Sequence, residues 1–259
     1  MQQQGIKIDL NKFDAVIFDM DGVITQSARV HAESWKRMFD DYLQKRAERQ
    51  RQKFVPFDKE KDYYRYIDGK PRYDGTRSFL ESRGISLPYG SPDDSPDKET
   101  ICGLGNRKNQ YFLKYLKEHG TESYPSTVDF IRKMEARNKR VAVISSSRNA
   151  KEVLEAAGVL SLFHVIVDGI ESAKHGLKGK PEPDIFLDAA KRLNVVPGRA
   201  IVVEDAISGV KAGKAGGFGL VIGIDRSGRN PELKSSGADV VISDLSEIRS
   251  ENDEYDADD

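Results

Sequence analysis

Two aspartates at the end of a short apolar run are the first residues whose type and spacing could do chemistry: Val16-Ile17-Phe18-Asp19-Met20-Asp21-Gly22. The run predicts a buried strand, so Asp19 and Asp21 fall at its carboxyl end, where open α/β sheets bind ligands. In extended backbone the two side chains leave the same face, and carboxylates held that close require a cation or a shared proton. A strand-ending Asp also caps the turn that follows it, so the pair alone leaves both readings open.

Three further clusters bear on the choice. Ser145-Ser146-Ser147-Arg148-Asn149 follows another apolar run and precedes a helical pattern. Hydroxyls and backbone N–H groups converge there, as an anion seat or as an ordinary serine helix cap. Ile201-Val202-Val203 runs into Glu204-Asp205, again two acids at a strand end. Lys180 stands in the loop Gly179-Lys180-Pro181-Glu182-Pro183-Asp184, a place where a lone lysine is usually solvated.

Together the four clusters suit phosphoryl transfer through an aspartyl phosphate. Carboxylate oxygens of Asp19, Glu204 and Asp205 with a main-chain carbonyl form a hard ligand set suited to Mg²⁺. Lys180 offsets the remaining negative charge, while the Ser145 hydroxyl and Ser146 amide hold phosphate oxygens. Asp21, beside the nucleophile, protonates the leaving oxygen and later deprotonates the attacking hydroxyl or water.

The elements that must position these groups follow from periodicity. From residue 124 onward short Val/Ile-rich runs alternate with helical patterns, the signature of a parallel sheet covered on both faces. Strands are predicted over 140–145, 163–167, 200–204, 219–224 and 239–242, with helices over 126–138, 149–157, 183–193 and 207–215, and the opening strand joins this sheet. Residues 26–53 have apolar residues once a turn (Val30, Trp35, Met38, Phe39, Tyr42), with a charge-laced, solvated end. Residues 54–77 read as an irregular connection because of Pro56, Gly69, Pro71 and Gly75, and short helices are expected over 76–82 and 106–119. The expected organisation is an α/β Rossmann-like parallel-sheet core from residues 1–25 and 121–259, with a helical cap of residues 26–120 inserted after the first acidic loop as a lid. The acidic end, 250–259, reads as a frayed tail.

Composition narrows the function classes. A chain of 259 residues, 38% hydrophobic and 32% charged, can bury a sizeable core. A formal charge of −1, with no concentrated basic patch, argues against nucleic acid as a partner. The single Cys102 cannot form an internal disulfide, and no apolar stretch has membrane-spanning length, so a location in the cytoplasm, without a membrane partner, is expected; a monomer is expected as well. Gly179-Lys180 lacks the flanking residues of a P-loop, and His31, His119, His164 and His175 show no metal-ligand spacing.

The order and spacing of Asp19-x-Asp21, Ser145, Lys180 and Glu204-Asp205 resemble those of the haloacid-dehalogenase-like phosphotransferases over nearly the whole chain. Within them, FDMDGVIT, His31, Trp35, SSSRN, GKPEPDIF and VVEDAISG are similar to the β-phosphoglucomutase group. The resemblance implies Asp19 as nucleophile and Asp21 as general acid/base. It also implies magnesium held by Asp19, the Asp21 backbone, Glu204 and Asp205, and phosphate held by Ser145, Ser146, Asn149 and Lys180. In the cap it implies that His31 couples closure to catalysis and that Arg72 and Lys108 bind the distal phosphate of a small phosphorylated sugar. Gln26 stands where many relatives place an acid, and residues 44–66 are long and highly charged for such a cap. The expected activity is interconversion of β-glucose 1-phosphate and glucose 6-phosphate. A sugar-phosphate or small phosphomonoester phosphatase with the same residues is the alternative, and a non-catalytic phosphate-sensing module ranks third.

Overall fold

The computed structural model describes residues 5–250, apart from 69, 227 and 229. The chain forms two compact units, one from the residues up to Thr25 and from Ser123 onward, the other from Gln26–Glu122.

The first unit contains every strand among the described residues. These are β1 (Ile6–Ile8), β2 (Ala15–Asp19), β3 (Arg140–Ile144), β4 (Val165–Val167), β5 (Ala200–Glu204), β6 (Leu220–Ile224), β7 (Val240–Ile242) and β8 (Ile248–Ser250). Strands β1 and β8 pair separately, and the other six form one parallel sheet in the order β4-β3-β2-β5-β6-β7. Both faces of such a sheet are covered, which is why β2 and β5 read as continuous apolar runs and are buried at every position.

In chain order the helices are α1 (Ala28–Gln50), α2 (Arg72–Ser82) and α3 (Ile101–His119) in the inserted unit, then α4 (Pro125–Ala136), α5 (Ala150–Ala156), α6 (Gly169–His175), α7 (Asp184–Arg192), α8 (Ile207–Ala215) and α9 (Glu232–Ser235). Helices α7 and α8 put Ile185, Phe186, Ala189 and Val210 into one core with Ile17, Ala142, Ile144 and Val202 of the sheet. The alternate strand residues serve the opposite face, where Phe18 meets Phe130 of α4 edge-on at 6.3 Å.

The inserted unit has its own core. Trp35, Phe39, Phe57 and Phe79 form a chain of ring contacts with centroid separations of 4.2–5.3 Å, each such pair contributing about 0.5–1.5 kcal/mol beyond its area. This corrects the reading of residues 54–77 as an irregular connection. Phe57 and Ile67 are core residues, a π-helical turn spans Tyr63–Ile67, and α2 begins at Arg72, directly after Pro71. Proline interrupts the preceding chain but is well placed immediately before a helix. Helix α3 likewise begins at Ile101, earlier than the expected 106, and Thr100 caps it by accepting from Gly103 N–H at 2.9 Å. Gly105 lies within this helix in close contact with α2, since a Cβ there would lie 2.8 Å from the Tyr73 ring.

In the first unit, β4 starts at Val165 rather than 163, following a 3-10 turn over Leu160–Leu162 and two further residues outside the strand ladder. Helix α6 went unpredicted. Its signal is local, since Asp168 accepts from the N–H groups of Ile170 and Glu171, both at 2.9 Å. The acidic residues 251–259 lie outside the described residues. Among those described, no helix is long and apolar enough to cross a membrane.

Candidate active site

Strand β2 lies between β3 and β5, with Asp19 opposite Ile144 and Phe18 opposite Val203. The parallel register brings the three carboxyl ends together, and the chain reverses its direction of travel across the sheet at this point. That is where open α/β sheets leave a crevice. Asp19, Ser145 and Glu204 therefore meet although they are distant in sequence.

Asp19 is 7% exposed and Glu204 is fully buried. Between them lies Lys180, whose ammonium is 2.5 Å from Asp19 Oδ1 and also donates to Glu204 Oε1. The lone lysine of the Gly/Pro loop is thus ion-paired and buried, with its side chain 3% exposed. Burial works against its charge, but the facing Asp19 and Glu204 carboxylates overcome this and hold it protonated. The Asp19 carboxyl moves well above the usual carboxylate range, chiefly through burial; Lys180 opposes the shift, whereas Glu204 and Asp21 add to it. The acids outnumber the cation.

Asp19, Glu204 and Asp205 each offer a carboxylate oxygen, all within 4.8 Å of one another. An all-oxygen donor set with excess negative charge fits a hard divalent cation. Two glycines make room for it. Gly22 has φ +82°, and a Cβ there would lie 1.9 Å from Asp205 Oδ2. On α8, a Cβ at Gly209 would lie 1.7 Å from Glu204 Oε1. The other Glu204 oxygen accepts from Ala206 N–H at 2.7 Å, so this carboxylate is fixed at both ends. Gly209→Ala should push Glu204 aside and weaken divalent-cation binding about 10–100-fold, the range seen when ligand-orienting contacts are lost. Calorimetric titration with Mg²⁺ checks this, and unchanged affinity would remove Gly209 from the cradle.

Asp21 is half-buried beside the loop in which Gly22 N–H donates to Thr25 C=O at 2.9 Å. Ser145 is buried at the end of β3, and its Oγ accepts from Ser147 N–H at 3.0 Å. A hydroxyl that accepts in this way keeps its hydrogen to donate. Ser146 is half-buried and Asn149 is buried as the residue preceding α5. The other anticipated residues lie in the inserted unit and form a group of their own. Lys108, 3% exposed, has its ammonium 2.7 Å from His31 Nδ1 and over the rings of Trp35 and Phe112. Arg72 donates to Asn109 Oδ1 at 2.9 Å. Burial, then Lys108 and Arg72, holds His31 well below the usual histidine range, so this ring is neutral and the two cations carry the local charge.

Sequence reasoning missed Gly209, Arg226 and Asn230. A glycine inside a helix one turn beyond a paired acid was a usable signal for Gly209. Arg226 follows the end of β6 and was open to the same strand-end rule that found Asp19. Asn230 carries no local signal; it donates to Asp205 C=O at 3.1 Å only through the path of the loop.

The sequence matches the haloacid dehalogenase-like hydrolase family over residues 13–217. It is similar to a β-phosphoglucomutase of Mycobacterium tuberculosis, with 48% identity over 240 residues and 92% of each chain covered. A β-phosphoglucomutase of Bacillus subtilis is 32% identical over 234 residues, covering 90% of this chain and 91% of that one. The solved structure of a β-phosphoglucomutase from Clostridium difficile shares the fold, with TM-score 0.74 at 24% identity over 94% of this chain and 95% of that one. With the acid pair of β2, the buried lysine and the acids of β5 in place, the chain belongs to the haloacid dehalogenase-like hydrolase family, in its β-phosphoglucomutase group.

Proposed function

We propose that this chain is a Mg²⁺-dependent β-phosphoglucomutase that interconverts β-glucose 1-phosphate and glucose 6-phosphate through a phosphoryl group carried on Asp19. The observation that carries this reading is the Asp19 carboxylate at the end of β2, buried against Lys180 and within one ligand group with Glu204 and Asp205. The names of the similar mycobacterial and Bacillus proteins support the choice of substrate.

Asp19, Glu204 and Asp205, with the Asp21 carbonyl, would hold Mg²⁺, which when bound neutralises phosphate charge and polarises phosphorus toward attack. The remaining work belongs to the chain's own groups. Phospho-Asp19 gives its phosphoryl group to the C6 hydroxyl of β-glucose 1-phosphate as Asp21 removes the hydroxyl proton. A sugar bisphosphate results. Asp19 Oδ then attacks the C1 phosphate, the bond from phosphorus to the sugar oxygen breaks, and Asp21 returns the proton to that oxygen. Lys180 and Ser145, with Ser146 and Asn149, hold the phosphate oxygens in line. The His31, Lys108 and Arg72 group suits the second phosphate of the intermediate. A cytoplasmic location suits a chain whose single cysteine, Cys102, is buried and free, and the chain is taken to act as a monomer.

A paired assay on β-glucose 1-phosphate with Mg²⁺, following glucose 6-phosphate and released phosphate separately, tests the proposal. Glucose 6-phosphate is expected to accumulate with little released phosphate. Released phosphate without isomerised product would move the assignment to a sugar-phosphate phosphatase.

A further inference from the structure

We infer that Arg226 is a positioning residue for the acid/base step, holding Asp21 in place through the main-chain carbonyls of the two residues that follow it. This rests on the aspartyl-phosphate reading above. Arg226 Nε donates to Gly22 C=O at 3.2 Å and Nη2 to Val23 C=O at 3.4 Å. Nη2 also reaches Thr127 Oγ1 at 3.3 Å, and that hydroxyl donates to Val23 C=O at 2.7 Å. Within the loop, Met20 C=O accepts from the N–H groups of Ile24 and Thr25, and Gly22 N–H donates to Thr25 C=O. The Gly22 carbonyl is thus held by Arg226, and the Val23 carbonyl by Arg226 and Thr127.

The guanidinium is itself held on two other sides. Nη1 is 2.6 Å from Asp244 Oδ2, an oxygen that also accepts from Ser126 Oγ at 2.7 Å. Its central carbon lies over the Tyr124 ring, 3.5 Å from the centroid. Asp244 is held far below the usual carboxylate range: burial works against this, and hydrogen bonds from Ser126, Ser246 and Arg226 overcome it. The planar fork is thus set by a carboxylate and a ring, with its remaining donors aimed at the loop. Asn230, four residues on, donates to Asp205 C=O, so the chain after β6 fastens both the acid/base loop and one metal-ligand candidate.

A group that must place a proton on a leaving oxygen tolerates little displacement, about 1 Å costing on the order of 100-fold. Leaving-group chemistry separates such a role from general support of the fold. Acetyl phosphate passes its phosphoryl group to Asp19 as the bond from phosphorus to the acetyl oxygen breaks. Acetate departs as a stable anion and needs no proton from Asp21. A sugar oxygen needs one. In Arg226→Ala the burst of acetate release that accompanies phosphorylation of Asp19 should stay within about twofold of wild type, while kcat on β-glucose 1-phosphate falls about 30–100-fold with KM little changed. Arg226→Lys retains the charge, but a single ammonium cannot span both carbonyls, so kcat should remain within about threefold of the alanine variant. If Arg226→Ala fails to fold, the same comparison is read on Arg226→Lys. Equal loss of both steps, or no loss in kcat, overturns the inference. Absence of Asp19 phosphorylation in the wild-type protein would instead overturn the aspartyl-phosphate reading, and this inference with it.

Discussion

Asp19→Asn should abolish phosphoryl transfer, lowering turnover on β-glucose 1-phosphate by at least about a thousandfold, because the amide has no anionic oxygen with which to attack phosphorus. The protein should remain folded. The wild-type carboxyl already sits well above its usual range through burial and the neighbouring Glu204 and Asp21, so a neutral amide of the same shape relieves repulsion. Its oxygen still accepts from Lys180, which keeps Glu204 as a charged partner. Without metal, the melting temperature should therefore match or exceed that of wild type. With Mg²⁺ the order should reverse: a cation at about 100 times its Kd stabilises the wild-type fold by roughly 2.7 kcal/mol, and the variant, one carboxylate short, gains less. Melting curves with EDTA and with Mg²⁺, alongside the coupled assay, check both halves. Turnover within tenfold of wild type would dismiss Asp19 as the nucleophile.

Lys180→Met should damage both stability and activity. The methionine occupies much the same volume but leaves the Asp19 and Glu204 carboxylates buried around an uncompensated space. Removing one partner from a buried charge cluster costs about 3–5 kcal/mol. The loss should depend on pH with a definite sign. An acid whose folded pKa is raised stabilises the fold below its unfolded pKa, and that stability is lost as pH rises through the folded value. The Asp19 shift is already upward with Lys180 present, and removal of the cation drives it further. The stability deficit should therefore grow over the pH range above the ordinary carboxylate pKa and shrink when Mg²⁺ supplies positive charge. Turnover should fall on the order of 100–1,000-fold, as when a preorganised charge-stabilising group is deleted. Denaturant unfolding across that range, with and without Mg²⁺, measures the first effect. A pH-independent deficit would show that Lys180 contributes packing rather than charge.

Much of the sheet is legible because its strands announce themselves locally. Ala200–Glu204 and Ile207–Ala215 coincide with the segments expected from the pattern, and the other strands and helices expected in the sheet-bearing unit differ by one or two residues at their ends, whereas β1, α6, α9 and β8 were not expected. In the inserted unit the misreading falls where glycine and proline were taken as breakers. Gly75 lies buried inside α2, and Pro71 stands immediately before that helix. A residue's role as contact or breaker depends on its neighbours in space, which periodicity does not report.

The same division runs through the site. The residue types and their strand-end positions, Asp19 and Asp21 after one apolar run and Glu204 and Asp205 after another, were determined by the sequence alone, because a two-residue period and a run's termination are properties of a short window. The tertiary structure alone decided that Lys180, 161 residues from Asp19, sits between Asp19 and Glu204 rather than in solvent. It alone decided that Gly22 and Gly209 hollow out room for two acids, and that Arg226 grips the loop behind Asp21. These contacts arise from the order and register of parallel strands joined by long crossovers. Strand order is settled by packing over the whole sheet, so no local window contains it.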